Sequence, residues 1–179
     1  MMIEMGDCMY HVNDTILYGS QICRIEESTQ KNFNGSPMEY YVLKPIYNDT
    51  STIYVPVHNE KLTGKMRRIL SAEEIYRLIR SMPDVDSEWV ENEAERKETY
   101  KEILASGDRE AIVRMIKALY HHQQVRQAQG KKLHVSDERF LKEAERTLYD
   151  EFALVLHISQ EQVLPFILDQ IEVTEKSQS

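Results

Sequence analysis

The chain has little of what usually marks a secreted protein, a membrane protein or an enzyme. Its 179 residues include 2 cysteines, 1 tryptophan, 6 glycines and 5 prolines. Cys8 and Cys23 do not form a CxxC pair, and in a reducing compartment Cys23, inside a β-rich run, reads as a small buried hydrophobe. No run of about 18 apolar residues exists, so no membrane span is expected. The opening MMIEMGDCMYHV lacks the basic region and apolar stretch of a signal peptide, which makes cytoplasmic residence the expectation. P-loop, GxGxxG, GxSxG and HExxH motifs are all missing, so neither an enzyme nor a cofactor is expected. His121-His122 with His134 comes nearest to a metal motif, but adjacent histidines on a helix point about 100° apart and do not easily ligate one ion. Surface or interface histidines are the reading, and no metal is expected. Glu91, Glu93 and Glu95 lie near the positive end of a helix, where carboxylates are stabilising, with no sign of a catalytic pocket.

What is present is segregated charge. The net charge of −8 divides into −5 over residues 1–60, +3 over residues 61–135 and −6 over residues 136–179. Only the middle segment is positive, and there a polyanion could be engaged locally; the bland alternative is a solvated, mixed-charge helix surface.

Residues 39–68 mark a change of pattern. Tyr40–Ile46 and Thr52–Val57 are β-rich runs joined by Asn48-Asp49-Thr50-Ser51, which supplies turn chemistry. Tyr10–Val12, Thr15–Tyr18 and Ile22–Glu26 add short strands, with turns at Asn13-Asp14, Gly19-Ser20 and Asn34-Gly35-Ser36-Pro37. So few strands do not make a two-sheet sandwich, and a small, strongly bent barrel would remove most exposed edges. Pro45 and Pro56 lack N–H donors and belong at strand ends, which makes Thr52–Val57 a candidate edge open to strand addition. After Val57 the hydrophobic period turns helical and is expected to stay so. The chain therefore reads as α+β, with a β domain over residues 1–60 and an all-α domain of about five helices over 61–179.

Helix punctuation is clear. Ser71 and Glu74 have capping-box spacing for a helix ending before Pro83. Ser87 is expected to cap a helix that carries Trp89 and Tyr100 to a stop near Gly107, and Asp108 caps another that continues to about Gly130. Ser136 or Asp137 opens the next, with Phe140, Leu141, Ala144, Leu148, Phe152 and Val155 as its apolar stripe. Ser159 and Gln162 fit a last capping box, Pro165 is expected to kink or shorten that last helix, and Glu172–Ser179 reads as a frayed tail.

Trp89, followed by Arg96, Lys97 and Lys101, has two readings: a stacking or wedge group beside a DNA backbone, or a core anchor. Arg114, Lys117 and Arg126, with Lys131-Lys132 in the next loop, offer further phosphate partners. No helix carries the Asn/Gln/Arg combination that reads base edges, so any DNA would be bound by backbone and shape.

Taken in order, VNDTILYG (12–19), EYYVLKPIYNDTSTIYVPVHN (39–59), LASGDREAIVRMIKALYHHQQ (104–124) and KKLHVSDERFLKEAERTLYDEFALVLHIS (131–159) closely resemble the CarD-like family of bacterial transcription regulators. The resemblance implies a Tudor-like (SH3-like) barrel that binds the RNA polymerase β subunit. It also implies a helical domain that contacts promoter DNA at the upstream edge of the melted bubble. On that footing Ile53, Tyr54 and Val55 are expected to pair with a polymerase strand, supported by Tyr41 and Lys44, while Trp89, Arg96, Lys97, Lys101, Arg114, Lys117 and Arg126 face DNA. Family members often carry arginine where this chain has Tyr54, and their wedge tryptophan falls at Arg96, so either Trp89 or Arg96 takes that place. The rival reading is an adaptor whose helical domain binds another protein. Oligomeric state is not legible.

Overall fold

The computed structural model of the protein describes residues 10–48 and 50–179. Cys8 and Asp49 lie outside them. The chain divides into one compact unit that ends at Arg68 and a second that runs from Ile69 to Ser179.

The first unit is an antiparallel five-stranded sheet in the order β4-β3-β2-β1-β5. Its strands are β1 (Thr15–Tyr18), β2 (Gln21–Phe33), β3 (Ser36–Pro45), β4 (Ile53–Pro56) and β5 (Met66–Arg68), with a one-turn helix α1 (Glu60–Thr63) before β5. The sheet is open rather than the expected closed barrel: β4 and β5 are its two edges and do not pair with each other. Pro45 and Pro56 end their strands, as their missing donors require.

Two strands differ from expectation. Tyr10–Val12 is not a strand; the Tyr10 hydroxyl donates to the Met66 carbonyl at 2.8 Å and ties this segment across β5. β5 itself interrupts the helical pattern expected after Val57, because Tyr18 pairs with Met66 and brings that side chain into the core. A strand of three residues is too short to show a period in the sequence, and it carries the β unit beyond residue 60. The β2–β3 hairpin also runs much further than the two apolar runs foretold. Asn34 and Gly35 both have positive φ, 50° and 82°, and Phe33 pairs with Ser36, the geometry of a two-residue type I′ turn that matches strand twist. The core beneath the sheet gathers Ile16, Cys23, Ile25, Tyr41, Leu43, Val55 and Met66. Burial pushes the Cys23 thiol up to about 11, which keeps it protonated and inert.

The second unit is helical: α2 (Ala72–Ser81), a 3-10 turn (Met82–Asp84), α3 (Glu93–Ser106), α4 (Arg109–Ala128), α5 (Val135–Leu156) and α6 (Gln160–Gln178). The capping boxes form at Ser71/Glu74 and Ser159/Gln162, and the Asp108 side chain accepts from the Ala111 amide at 3.2 Å. Gly107, at φ 66°, ends α3 in the left-handed region. α5 opens one residue before Ser136, with His134 at its N-cap. Pro165 does not shorten α6, which continues to Gln178 in place of a frayed tail. Val163 and Ile167 anchor the turns on either side of the proline in the core, and Lys176 pairs with Glu172 at 2.6 Å one turn apart near the end. α5 is the central element, packing Leu148 and Phe152 with α2 and α6, and Leu141 and Ala144 with α3 and α4.

Candidate functional site

Among the described residues β4 pairs only with β3, so its other side is an edge. The amide of Val57 donates to the Glu39 carbonyl at 2.9 Å, and Tyr41 pairs with Val55 and Leu43 with Ile53. Hydrogen-bonding alternates along an antiparallel pair. The polar groups of Ile53, Val55 and Val57 therefore face β3, whereas the N–H and C=O of Tyr54 face outward. Pro56, the next outward position, has no donor to offer.

The expected docking residues divide between the two faces of the sheet. Tyr41 and Val55 are core residues at 5% and 0% exposure, with half-buried Ile53 beside them. Tyr54 and Lys44 share the opposite face with Val42. Tyr54 is 47% exposed and lies under Lys31, whose Nζ sits 4.0 Å from the ring centroid. Lys31 was not foreseen, since it lies in a polar stretch that becomes β2 only through the Asn34-Gly35 turn. Met38, paired with Lys31, receives the Tyr40 hydroxyl at 3.8 Å and completes an exposed aromatic and cationic patch next to the edge.

In the helical unit the expected cations separate into two kinds. Arg96 is 3% exposed and cannot meet a phosphate. Its Nε and one terminal nitrogen donate to the two oxygens of Asp137 at 2.9 and 3.0 Å, and the other terminal nitrogen donates to the carbonyls of Val90 and Glu91 at 2.8 and 3.3 Å. Asp137, read from the sequence as a capping choice for α5, is instead the fully buried counter-ion. Lys117 is also spent: its three protons go to the carbonyls of Met82, Pro83 and Val85 at 2.9, 3.2 and 2.5 Å. A helical wheel puts Lys117 on the polar side of α4, yet there that side faces the carbonyls just beyond α2. Lys97, Lys101 and Arg114 are surface residues paired with Glu93, Glu98 and Glu110 within one turn of their own helices. Such exposed pairs are worth about 0.2–1 kcal/mol. Arg126 donates through Nε to the Lys132 carbonyl at 2.6 Å and fixes the loop that carries Lys131-Lys132.

Trp89 is not on a helix. α3 begins at Glu93, with the Asn92 side chain accepting from the Glu95 amide at 3.0 Å, and Ser87 caps nothing. The grip of Arg96 on the Val90 and Glu91 carbonyls holds the preceding segment outside the helix. The half-buried Trp89 ring stacks on His122 with centroids 3.6 Å apart and planes 10° off parallel, and the Arg96 guanidinium lies 4.3 Å from the indole centroid. Burial first, then Arg126 and Arg96, hold His122 below its ordinary value, while Asp137 and Glu91 pull it upward. His121 is exposed, and among the described residues no group of three or more His, Cys, Asp or Glu could hold a metal ion. No helix among them is long and apolar enough to cross a membrane.

Two family models match this chain in succession. The CarD-like/TRCF RID domain matches residues 10–70, and the CarD C-terminal domain matches residues 74–167. The first match covers the open sheet with its exposed β4 edge, and the second covers the helices as far as Ile167 in α6. The chain therefore belongs to the CarD-like family of RNA polymerase-interacting, non-enzymatic transcription regulators.

Proposed function

We propose that the protein docks on the β subunit of RNA polymerase by strand addition along β4 and contacts promoter DNA through its helical unit, changing how long the promoter stays open. The open sheet plays the part that the family resemblance gives to a Tudor-like barrel. The observation that carries this reading is the outward-facing backbone of Tyr54 on an unpaired edge, with the exposed Tyr54 ring and Lys31 beside it. Main-chain bonds to an added strand supply affinity, and the side chains flanking the edge supply selectivity. Tyr41 and Val55 support the edge from the core, and Ile53 and Lys44 flank it.

On the DNA side the residues able to exchange partners are Lys97, Lys101 and Arg114, with Arg126 holding the Lys131-Lys132 loop, while Trp89, covered by His122 and Arg96, serves as a core anchor. Contacts made only with the melted duplex would shift the closed-to-open equilibrium toward open promoter without catalysis. The separating experiment is Tyr54→Pro. Proline there removes the outward donor and the exposed ring together and leaves the β3–β4 bonds intact, whereas Val55→Pro would break the sheet itself. Tyr54→Pro should abolish co-purification of polymerase while the circular dichroism spectrum and melting temperature stay near those of the parent. Retained polymerase binding by a folded Tyr54→Pro variant would overturn the edge-docking reading. Footprinting on forked promoter DNA, with and without polymerase, tests the DNA contact.

A further inference from the structure

α4, α5, α6 and the Met82-Pro83 turn enclose an open apolar cavity of about 360 Å³. Buried Val113, Leu148 and Ile167 line its inner wall, and Leu164 and Leu168 stand at its margin, 41% and 59% exposed. Leu164, Leu168, Ile171 and Glu175 all face it, at the i, i+4, i+7, i+11 spacing of a single helix stripe. That stripe is about 16 Å long, enough for three turns of a second helix.

The polar groups of the cavity decide what would fit. Lys117, the only cation lining it among the described residues, has all three protons on carbonyls, and the Tyr120 hydroxyl is bound to Glu145. An anionic head group would therefore find no free proton on Lys117. Glu175 makes no ion pair among the described residues, and α6 carries Glu161, Asp169, Glu172 and Glu175 against a single lysine, Lys176, itself paired with Glu172. A second copy of this face would bring acid against acid, because the same helix would lie on both sides. We propose that the groove receives an amphipathic helix of a protein partner. Its apolar residues, three and four apart, would seat over Leu164 and Leu168, and lysines or arginines beside them would meet Glu175 and its acidic neighbours.

The test uses the full chain and a fluorescein-labelled peptide of about 18 residues, with leucines at helical spacing flanked by lysines, read by fluorescence anisotropy without polymerase or DNA. Its outcome is thus independent of the edge-docking reading. Saturable one-to-one binding with a Kd on the order of 10 micromolar is expected, and a peptide of the same leucines flanked by glutamates should not bind. Leu168→Lys should weaken binding about tenfold or more and Glu175→Lys about threefold, with unchanged circular dichroism, since both side chains are exposed. No saturation, equal binding of the acidic peptide, or indifference to Leu168→Lys would each overturn the proposal. So would sedimentation of the parent as a dimer that Leu168→Lys dissolves, which would show a second copy filling the groove.

Discussion

Arg96 and Asp137 form an ion pair in which the guanidinium is 3% exposed and the carboxylate 0%. Two charges out of water are held there because they bond each other through two contacts and Arg96 also reaches the Val90 and Glu91 carbonyls, so removing one charge leaves the other stranded. Asp137→Ala should therefore cost about 3–5 kcal/mol of stability, measured by urea unfolding with an unchanged slope. Replacing both partners with apolar residues, Arg96→Met with Asp137→Leu, should recover much of that loss, since no buried charge is left alone. His122, beside them, ties stability to pH. Its folded pKa lies below the ordinary 6.5, so the unfolded chain holds the proton more tightly. The stability gained from the neutral, stacked ring is complete above that ordinary value and is lost as pH falls through it toward the lower folded value. On acidification from about pH 7.5 to about pH 5.5 the parent should thus lose more melting temperature than His122→Phe, which keeps an aromatic ring against Trp89 but cannot titrate. Equal losses in the two proteins would mean that other groups carry the acid sensitivity.

α6 shows how one element balances a fault against its packing. Pro165 withholds a hydrogen bond from the Glu161 carbonyl and crowds it, yet the helix passes through because the capping box at Ser159 and buried Val163 and Ile167 fix both flanking turns. Pro165 is exposed, so Pro165→Ala forfeits little packing and should raise stability by up to about 3 kcal/mol, visible as a higher melting temperature. Elements such as this one were legible where a local rule decides them. Ser71/Glu74, Asp108, Gly107 and Ser159/Gln162 mark helix ends with chemistry that acts within four residues, and they form as read. The two largest misreadings depend on distant partners. β5 exists because Met66 pairs with Tyr18 across the sheet, and α3 starts late because Arg96, anchored on Asp137 in α5, holds the Val90 and Glu91 carbonyls. The site divides in the same way. The β4 edge follows from two prolines in the local sequence, but a cation such as Arg96 or Lys117 looks solvated until the element packed against it is known.

For the whole molecule, a net charge of −8 with only residues 61–135 positive makes free association with DNA weak. On the proposed docking, the local positive charge would become useful once the first unit is held on polymerase, because tethering would turn DNA contact into an intramolecular step with a high effective concentration. The protein alone should then show little DNA binding at physiological salt, while promoter complexes that contain it should be longer-lived or shorter-lived than those without it. Lys101→Glu and Arg114→Glu replace surface cations whose present partners are exposed carboxylates, so the fold should tolerate both. Each should reduce the protein's effect on promoter-complex lifetime and lower the slope of log lifetime against log salt by about one. Lys117→Glu should behave differently, because it strips the carbonyls of Met82, Pro83 and Val85 of their donor and acts through stability rather than through salt. Tyr54→Pro should erase the lifetime effect and its salt dependence together, since without docking the cations have no raised local concentration to exploit. A salt slope that survives Tyr54→Pro would mean that the helical unit finds DNA unaided, and the charge segregation would then have to be read as a free-standing DNA-binding surface.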